Sequence, residues 1–222
     1  ALEQSGCRLL ITRTSYLTSA YGAMVDEVMP AVSSLEQVIY FDSPDWSGLI
    51  EGGAAIADHE LAARGASLRA DDPINIQYTS GTTGFPKGAT LTHHNILNNA
   101  LLVGQACGYD ENDRVCIPVP FYHCFGMVMG NLACSVYGAT MVVPSPSFDA
   151  EAVLQACQSE RCTSLYGVPT MFIAELAFPG ITDFDLSSLR TGIMAGSPCP
   201  IEVMRQVIDV MHMDQVTIAY GM

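Results

Sequence analysis

Positive charge is scarce in this sequence. Its 222 residues carry nine Lys and Arg against 23 Asp and Glu, for a formal net charge of −14. Lys87 is the one lysine. So few cations cannot neutralise a nucleic-acid backbone, which excludes nucleic acid as a partner; any polyanion bound here must be small and held locally. Charge of either sign is also short, at 14% of residues against about 25% in a typical soluble domain. Apolar residues make up 49% and the mean hydropathy is +0.27. That excludes intrinsic disorder and implies a core covered on both faces. A compact chain this long buries roughly 70–75% of the surface its unfolded form exposes, so it needs no disulfide or metal staple.

The eight cysteines lack any C-x-x-C pair, and no zinc-finger spacing links them. The expectation is no metal site and free thiols packed as small hydrophobes, in a reducing compartment such as the cytoplasm or the mitochondrial matrix. No basic start leads into an apolar signal segment. From Val115 to Phe148 there is no Asp, Glu, Lys or Arg, long enough to consider a membrane span. Pro118, Pro120, Pro144 and Pro146, with His123, Asn131 and three glycines, divide that run into strand, turn, helix and strand. No transmembrane span is expected, since a buried α/β layer also reads as near-continuous apolar sequence.

Strands are expected at 9–12, 38–41, 74–78, 115–119, 139–143, 163–166, 189–194 and 216–219. Residues 42–45 read as a turn. Helices are expected over 54–68, from Thr92 to Gly108 with Ile96, Leu97, Ala100 and Leu101 inward, over 124–137, from Asp149 to Ser159, and over 201–211. Strands alternating with helices imply right-handed β-α-β crossovers: an α/β fold of two lobes with mainly parallel sheets. The most polar stretch, 109–113, suggests a first lobe at 1–110 and a second at 111–222.

Chemistry concentrates in Tyr78-Thr79-Ser80-Gly81-Thr82-Thr83-Gly84-Phe85-Pro86-Lys87-Gly88. Its glycines let backbone N–H groups close around an anion. Its hydroxyls donate to phosphate oxygens, and its lysine supplies a point charge. This is a polyphosphate cradle, though not a P-loop, because Pro86 precedes Lys87 and Gly88 follows it. The bland alternative is a surface hairpin with a solvated lysine.

These eleven residues match the phosphate signature of the acyl-adenylate-forming superfamily, which includes acyl-CoA synthetases, luciferases and nonribosomal peptide adenylation domains. Further stretches resemble the family's other motifs in order: Pro120-Phe121-Tyr122-His123, Gly167-Val168-Pro169-Thr170, Gly196-Ser197-Pro198 and Tyr220-Gly221-Met222. The wording at 92–95 and 168–171 is closest to medium- or long-chain fatty acyl-CoA synthetases, including the mitochondrial kind. The resemblance covers most of 74–222, and 1–70 loosely.

It implies ATP-dependent activation of a fatty acid as acyl-adenylate, followed by transfer to CoA, with Mg²⁺ assisting. Thr79, Ser80, Gly81, Thr82, Thr83, Gly84 and Lys87 would hold phosphates, with Lys87 also catalytic. Gly196, Ser197, Pro198, Tyr220 and Gly221 would hold the adenine. His123 would meet the acyl carboxylate, and Gly167, Val168 and Pro169 would line the acyl pocket, Gly167 leaving room for the chain. The family's magnesium Glu, ribose Asp and mobile C-terminal domain are not in the sequence, so the missing remainder of its own chain is an expected partner. Without the resemblance, His123 reads as a packed core histidine and Gly196-Ser197-Pro198 as a strand-ending turn. A Cys124–His123 nucleophile pair is disfavoured, because neighbours on a helix point apart. An aryl- or amino-acid adenylation module and a non-catalytic nucleotide-binding protein remain the alternatives. Only Glu175 lies near 163–172 to meet an amino group, which favours an apolar acid.

Overall fold

A computed structural model describes residues 1–41, 43–79 and 86–221. Packing divides the chain into two compact units, Ala1–His93 and His94–Met222. In the first, α1 (Leu2–Ser5) ends at Gly6, and β1 (Leu9–Thr12), α2 (Tyr21–Val28) and β2 (Gln37–Tyr40) form a crossover. The two strands pair in parallel, from Leu9↔Gln37 to Thr12↔Tyr40. Next comes α3 (Pro44–Gly52), where the sequence suggested a turn. Ser43 Oγ accepts the Trp46 N–H at 3.2 Å, and Pro44 sits where no amide hydrogen is needed. The same residues that make a turn thus cap and start a helix. α4 (Asp58–Ala66) falls inside the expected 54–68. β3 (Pro73–Thr79) and β4 (Lys87–Thr92) form an antiparallel hairpin. β4 is a strand that the Gly/Thr-rich wording concealed.

The second unit is built on one parallel sheet. α5 (His93–Cys107) starts at the junction and stops at Gly108 (φ +63). β5 (Arg114–Cys116) is shorter than the expected 115–119, because prolines 118 and 120 offer no amide to a ladder. A π-helix over Phe125–Leu132 continues into α6 (Ala133–Tyr137). Then follow β6 (Thr140–Val142), α7 (Ala150–Ser159), β7 (Ser164–Gly167), α8 (Pro169–Leu176), β8 (Thr191–Ala195), α9 (Ile201–Met211) and β9 (Gln215–Ala219). The strand order is β6-β5-β7-β8-β9, parallel throughout. The apolar run from 115 to 148 is therefore strand, helix and strand. Among the described residues, no helix is long and apolar enough to cross a membrane.

Both faces of the sheet are covered, which accounts for the shortage of charge. Successive residues of a strand point to opposite faces. Leu165 and Met194 join one core layer with Leu154, Phe172 and Met211. Their neighbours Tyr166 and Ile193 join the other, with Val115, Ile117 and Phe125. α5 turns Ile96, Ala100, Gly104 and Cys107 inward. Leu97 and Leu101, expected inside, stay 46% and 43% exposed. The Tyr137 hydroxyl donates to the Leu101 carbonyl at 2.8 Å, fastening the helix to α6.

A polar lock closes the amino end of the sheet. Asp113 is almost fully buried, and its carboxylate accepts both oxygens' worth of bonds from Arg190 Nη2 at 2.8 Å. The same guanidinium donates to the Gly108 and Cys107 carbonyls at the end of α5. Thr163 Oγ1 donates to Asp113 Oδ1 at 2.5 Å. One cluster thereby joins the starts of β5, β7 and β8 to a helix C-terminus. Arg190 keeps about a third of its side chain in solvent, so loss of its partner leaves it partly hydrated; Asp113→Ala should lower unfolding stability by about 1–3 kcal/mol in a denaturant melt.

Glu175 on α8 is fully buried, and neither carboxylate oxygen has a hydrogen-bond partner. Burial raises its pKa from 4.5 to about 8. The folded state therefore holds this proton more tightly than the unfolded one. Its contribution is complete below about pH 4.5 and is lost as pH rises from there to about 8. Glu175→Gln should flatten the fall in thermal stability across that window; an unchanged pH profile would show that the carboxyl has a partner in solution.

Candidate active site

The described ends of the expected phosphate cradle, Tyr78-Thr79 and Lys87-Gly88, lie on β3 and β4. The register places Tyr78 opposite Gly88 and Thr79 opposite Lys87. Antiparallel pairing thus brings the two flanking members of the cradle to the loop's base, with Lys87 in solvent. Ser80, Gly81, Thr82, Thr83 and Gly84 lie outside the described residues.

In the second unit, motif segments meet at the carboxyl ends of the parallel strands, where open α/β sheets place their ligands. β8 and β9 end side by side at Ala195↔Ala219. Gly196-Ser197-Pro198 therefore emerges next to Tyr220-Gly221, and with Ile218 they line a cleft of about 340 Å³. Tyr220 stands 89% exposed at its edge. Such a slot, with an aromatic ring and few charges, suits a flat heteroaromatic group. A larger groove of about 430 Å³ lies along β6 and α7, but none of the motif residues lines it.

Gly196 has φ +91, and a Cβ there would lie 3.0 Å from Val168 Cγ1. That close approach joins the Gly167-Val168-Pro169 segment to the Gly196-Ser197-Pro198 turn. Gly167 departs from expectation. The space a side chain would occupy is taken by the Phe172 ring of α8, 2.9 Å away, rather than left open for an acyl chain. Gly167 and Pro169 are buried, and Val168 is half-buried.

His123 precedes the π-helix in a bend. The Phe125 N–H donates to its Nδ1 at 3.0 Å. Nδ1 is thus an acceptor, and in the neutral ring the proton sits on Nε2. Cys124 Sγ lies 3.8 Å from the same Nδ1. The two side chains do not point apart, because the turn precedes the helix. Yet the lone pair that would take the thiol proton is already used by an amide. Pro120-Phe121-Tyr122-His123 can fold back so tightly only over Gly126, where a Cβ would fall 2.4 Å from the Pro120 carbonyl oxygen.

A buried hydroxyl chain anchors this turn. Phe125 stacks on Tyr166 with centroids 5.5 Å apart. The Tyr166 hydroxyl donates to the Met129 carbonyl at 2.8 Å, and Tyr109 donates to Tyr166 at 3.1 Å. With its proton committed there, Tyr109 accepts from Ser164, 2.6 Å away. Burial holds both phenols well above their usual range, so they remain donors. Phe125, Tyr166, Val168, Ala195 and Ala219 pack in one apolar layer. Segments read separately from sequence thus converge, and Tyr166 and Phe172, which no motif marked, position them. Gly196→Ala should cost about 1–3 kcal/mol through its left-handed backbone. Gly221→Ala, with open space around it, should be neutral; equal effects in urea melts would show that the turn is unstrained.

Comparison with known proteins gives this geometry a family. Residues 1–222 match the AMP-binding enzyme model. YngI of Bacillus subtilis (strain 168), named only as a candidate acyl-CoA synthetase, is 46% identical over 99% of this chain and 43% of its own length. The mitochondrial medium-chain acyl-CoA ligase ACSF2 of Danio rerio is 42% identical over all of this chain and 40% of its own length. The chain therefore spans about two-fifths of these curated relatives. The inhibitor-bound N-terminal domain of FACL13 from Mycobacterium tuberculosis shares the fold, with a TM-score of 0.77 at 24% identity over the whole chain and 52% of that domain. The chain belongs to the AMP-binding enzyme family.

Proposed function

We propose that the full-length protein carrying this chain is an AMP-forming fatty acid–CoA ligase. A fatty carboxylate attacks the α-phosphate of ATP, giving acyl-adenylate and pyrophosphate; the thiol of CoA then takes the acyl group and AMP leaves. The observation that carries the reading is the cleft where Gly196-Ser197-Pro198 meets Tyr220-Gly221 at the ends of β8 and β9. The names of the relatives support the acid–thiol ligase class.

Each residue then has a task. Thr79, Ser80, Gly81, Thr82, Thr83, Gly84 and Lys87 bind phosphates through amides, hydroxyls and one ammonium, and Lys87 neutralises charge as pyrophosphate departs. Gly196, Ser197 and Pro198 form one wall for the adenine, and Tyr220 with Gly221 the other. His123 presents Nε2–H to the acyl carboxylate, as a donor rather than a base. Val168 and Pro169 line the approach of the acyl chain beside Gly167. The described residues lining the cleft include no carboxylate or imidazole, so they do not fit a Mg²⁺ ligand set; Mg²⁺ would arrive on the nucleotide. The unit Ala1–His93, in place of the expected 1–110, would carry the phosphate-binding loop, and His94–Met222, in place of 111–222, the acyl and adenine side. Eight free cysteines suit the cytoplasm or the mitochondrial matrix.

In the full-length protein, Lys87→Ala should lower kcat/KM for ATP by roughly ten- to a hundredfold, the loss of one charged contact, with a smaller effect on the acid. Pyrophosphate exchange across straight-chain acids should rise stepwise with length, about 0.8 kcal/mol per buried CH₂. Preference for an amino acid, or an ATP dependence unmoved by Lys87→Ala, would overturn the reading. Residues 1–222 alone should form no detectable acyl-AMP.

A further inference from the structure

Three cysteines that no spacing rule connects are brought together inside the second unit. Cys116 lies on β5, Cys157 in the last turn of α7, and Cys162 in the turn that follows. All three are fully buried, and their sulfurs lie within 4.8 Å of one another. A trigonal three-sulfur site with bonds of about 2.3 Å puts its sulfurs about 4 Å apart. The fold has therefore set out the donors of such a site with little left to move.

All three are free thiols, so each sulfur is available as a donor. Two of the cysteines also neighbour the open groove, since Ala156, which lines it, precedes Cys157, and groove-lining Val142 pairs with Cys116.

We propose that Cys116, Cys157 and Cys162 form a buried binding site for one soft, thiophilic d¹⁰ cation. Sulfur donors select such ions over Mg²⁺ or Ca²⁺. Binding releases the thiol protons and links the end of α7 to β5, so it stabilises the fold. The site stands apart from the proposed nucleotide cleft and does not depend on the ligase reading.

The test uses the reduced full-length protein titrated with Cd²⁺, with Mg²⁺ as the hard-ion control. One equivalent of Cd²⁺ should bind, with a sulfur-to-metal charge-transfer band and a raised Tm, and Mg²⁺ should give neither. Cys116→Ala, Cys157→Ala and Cys162→Ala should each weaken binding at least a hundredfold, while Cys107→Ala and Cys134→Ala, equally buried, should not. If the trio variants fail to fold, the wild type still decides. At a denaturant concentration where all eight thiols of residues 1–222 are alkylated, Cd²⁺ should protect Cys116, Cys157 and Cys162 alone among them, as mapped by mass spectrometry. No band in the wild type, or protection centred on Cys7, Cys124 or Cys199, would overturn the site.

Discussion

The parallel pairing of β8 with β9, from Thr191↔Gln215 to Ala195↔Ala219, is the constraint on which the second unit's chemistry rests. It makes two strands end together, so the chain leaves both at one place. A shift of register by one residue would move each side chain to the opposite face. Ile193 and Met194 serve different core layers, so such a slip would cost both layers at once. The cleft between Gly196 and Tyr220 is thereby fixed by apolar packing well away from the cleft itself.

Two ends of one sheet divide the labour. At the amino end, Asp113, Thr163 and Arg190 each stand just before a strand and bind one another. At the carboxyl end, Gly196 and Gly221 leave backbone uncovered, and Tyr220 reaches into solvent. Rigidity gathered at one end permits an open, adaptable surface at the other. The chain's shortage of charge follows from the same plan, because a sheet buried on both faces leaves little room for ions.

How much of this was legible depends on the range of the interaction involved. α9 lies at 201–211, as its amphipathic pattern predicted, and α7 begins where Asp149 caps it; both signals are local. Residues 42–45 misled because Ser-Pro-Asp both makes turns and starts helices, and only the Ser43–Trp46 hydrogen bond decides. Leu97 and Leu101 of α5 stay exposed because the face that turns inward is chosen by Tyr137 of α6, distant in sequence, whose ring lies against Gly104 and whose hydroxyl donates to the Leu101 carbonyl. The motifs named the cleft residues, but not that Val168 touches Gly196 or that Phe172 fills the space over Gly167. Strand order and register are non-local, and so is the meeting of Cys116 with Cys157 and Cys162.

The π-helix at Phe125–Leu132 shows how far a local irregularity can reach. A helix wound this way is uncommon and gathers at functional places. Here it is held by Tyr166, whose hydroxyl takes the Met129 carbonyl while its ring stacks on Phe125. Phe125 in turn supplies the amide that fixes the proton of His123 on Nε2. Tyr166 is also the residue before Gly167-Val168-Pro169, so one side chain on β7 orients the imidazole while its own strand delivers that segment. Histidine tautomer and the 167–169 segment are consequently coupled through a single phenol, which burial keeps protonated. Sequence motifs mark the histidine and the segment, but the side chain that joins them carries no motif, because its role exists only once β7 lies beneath the π-helix.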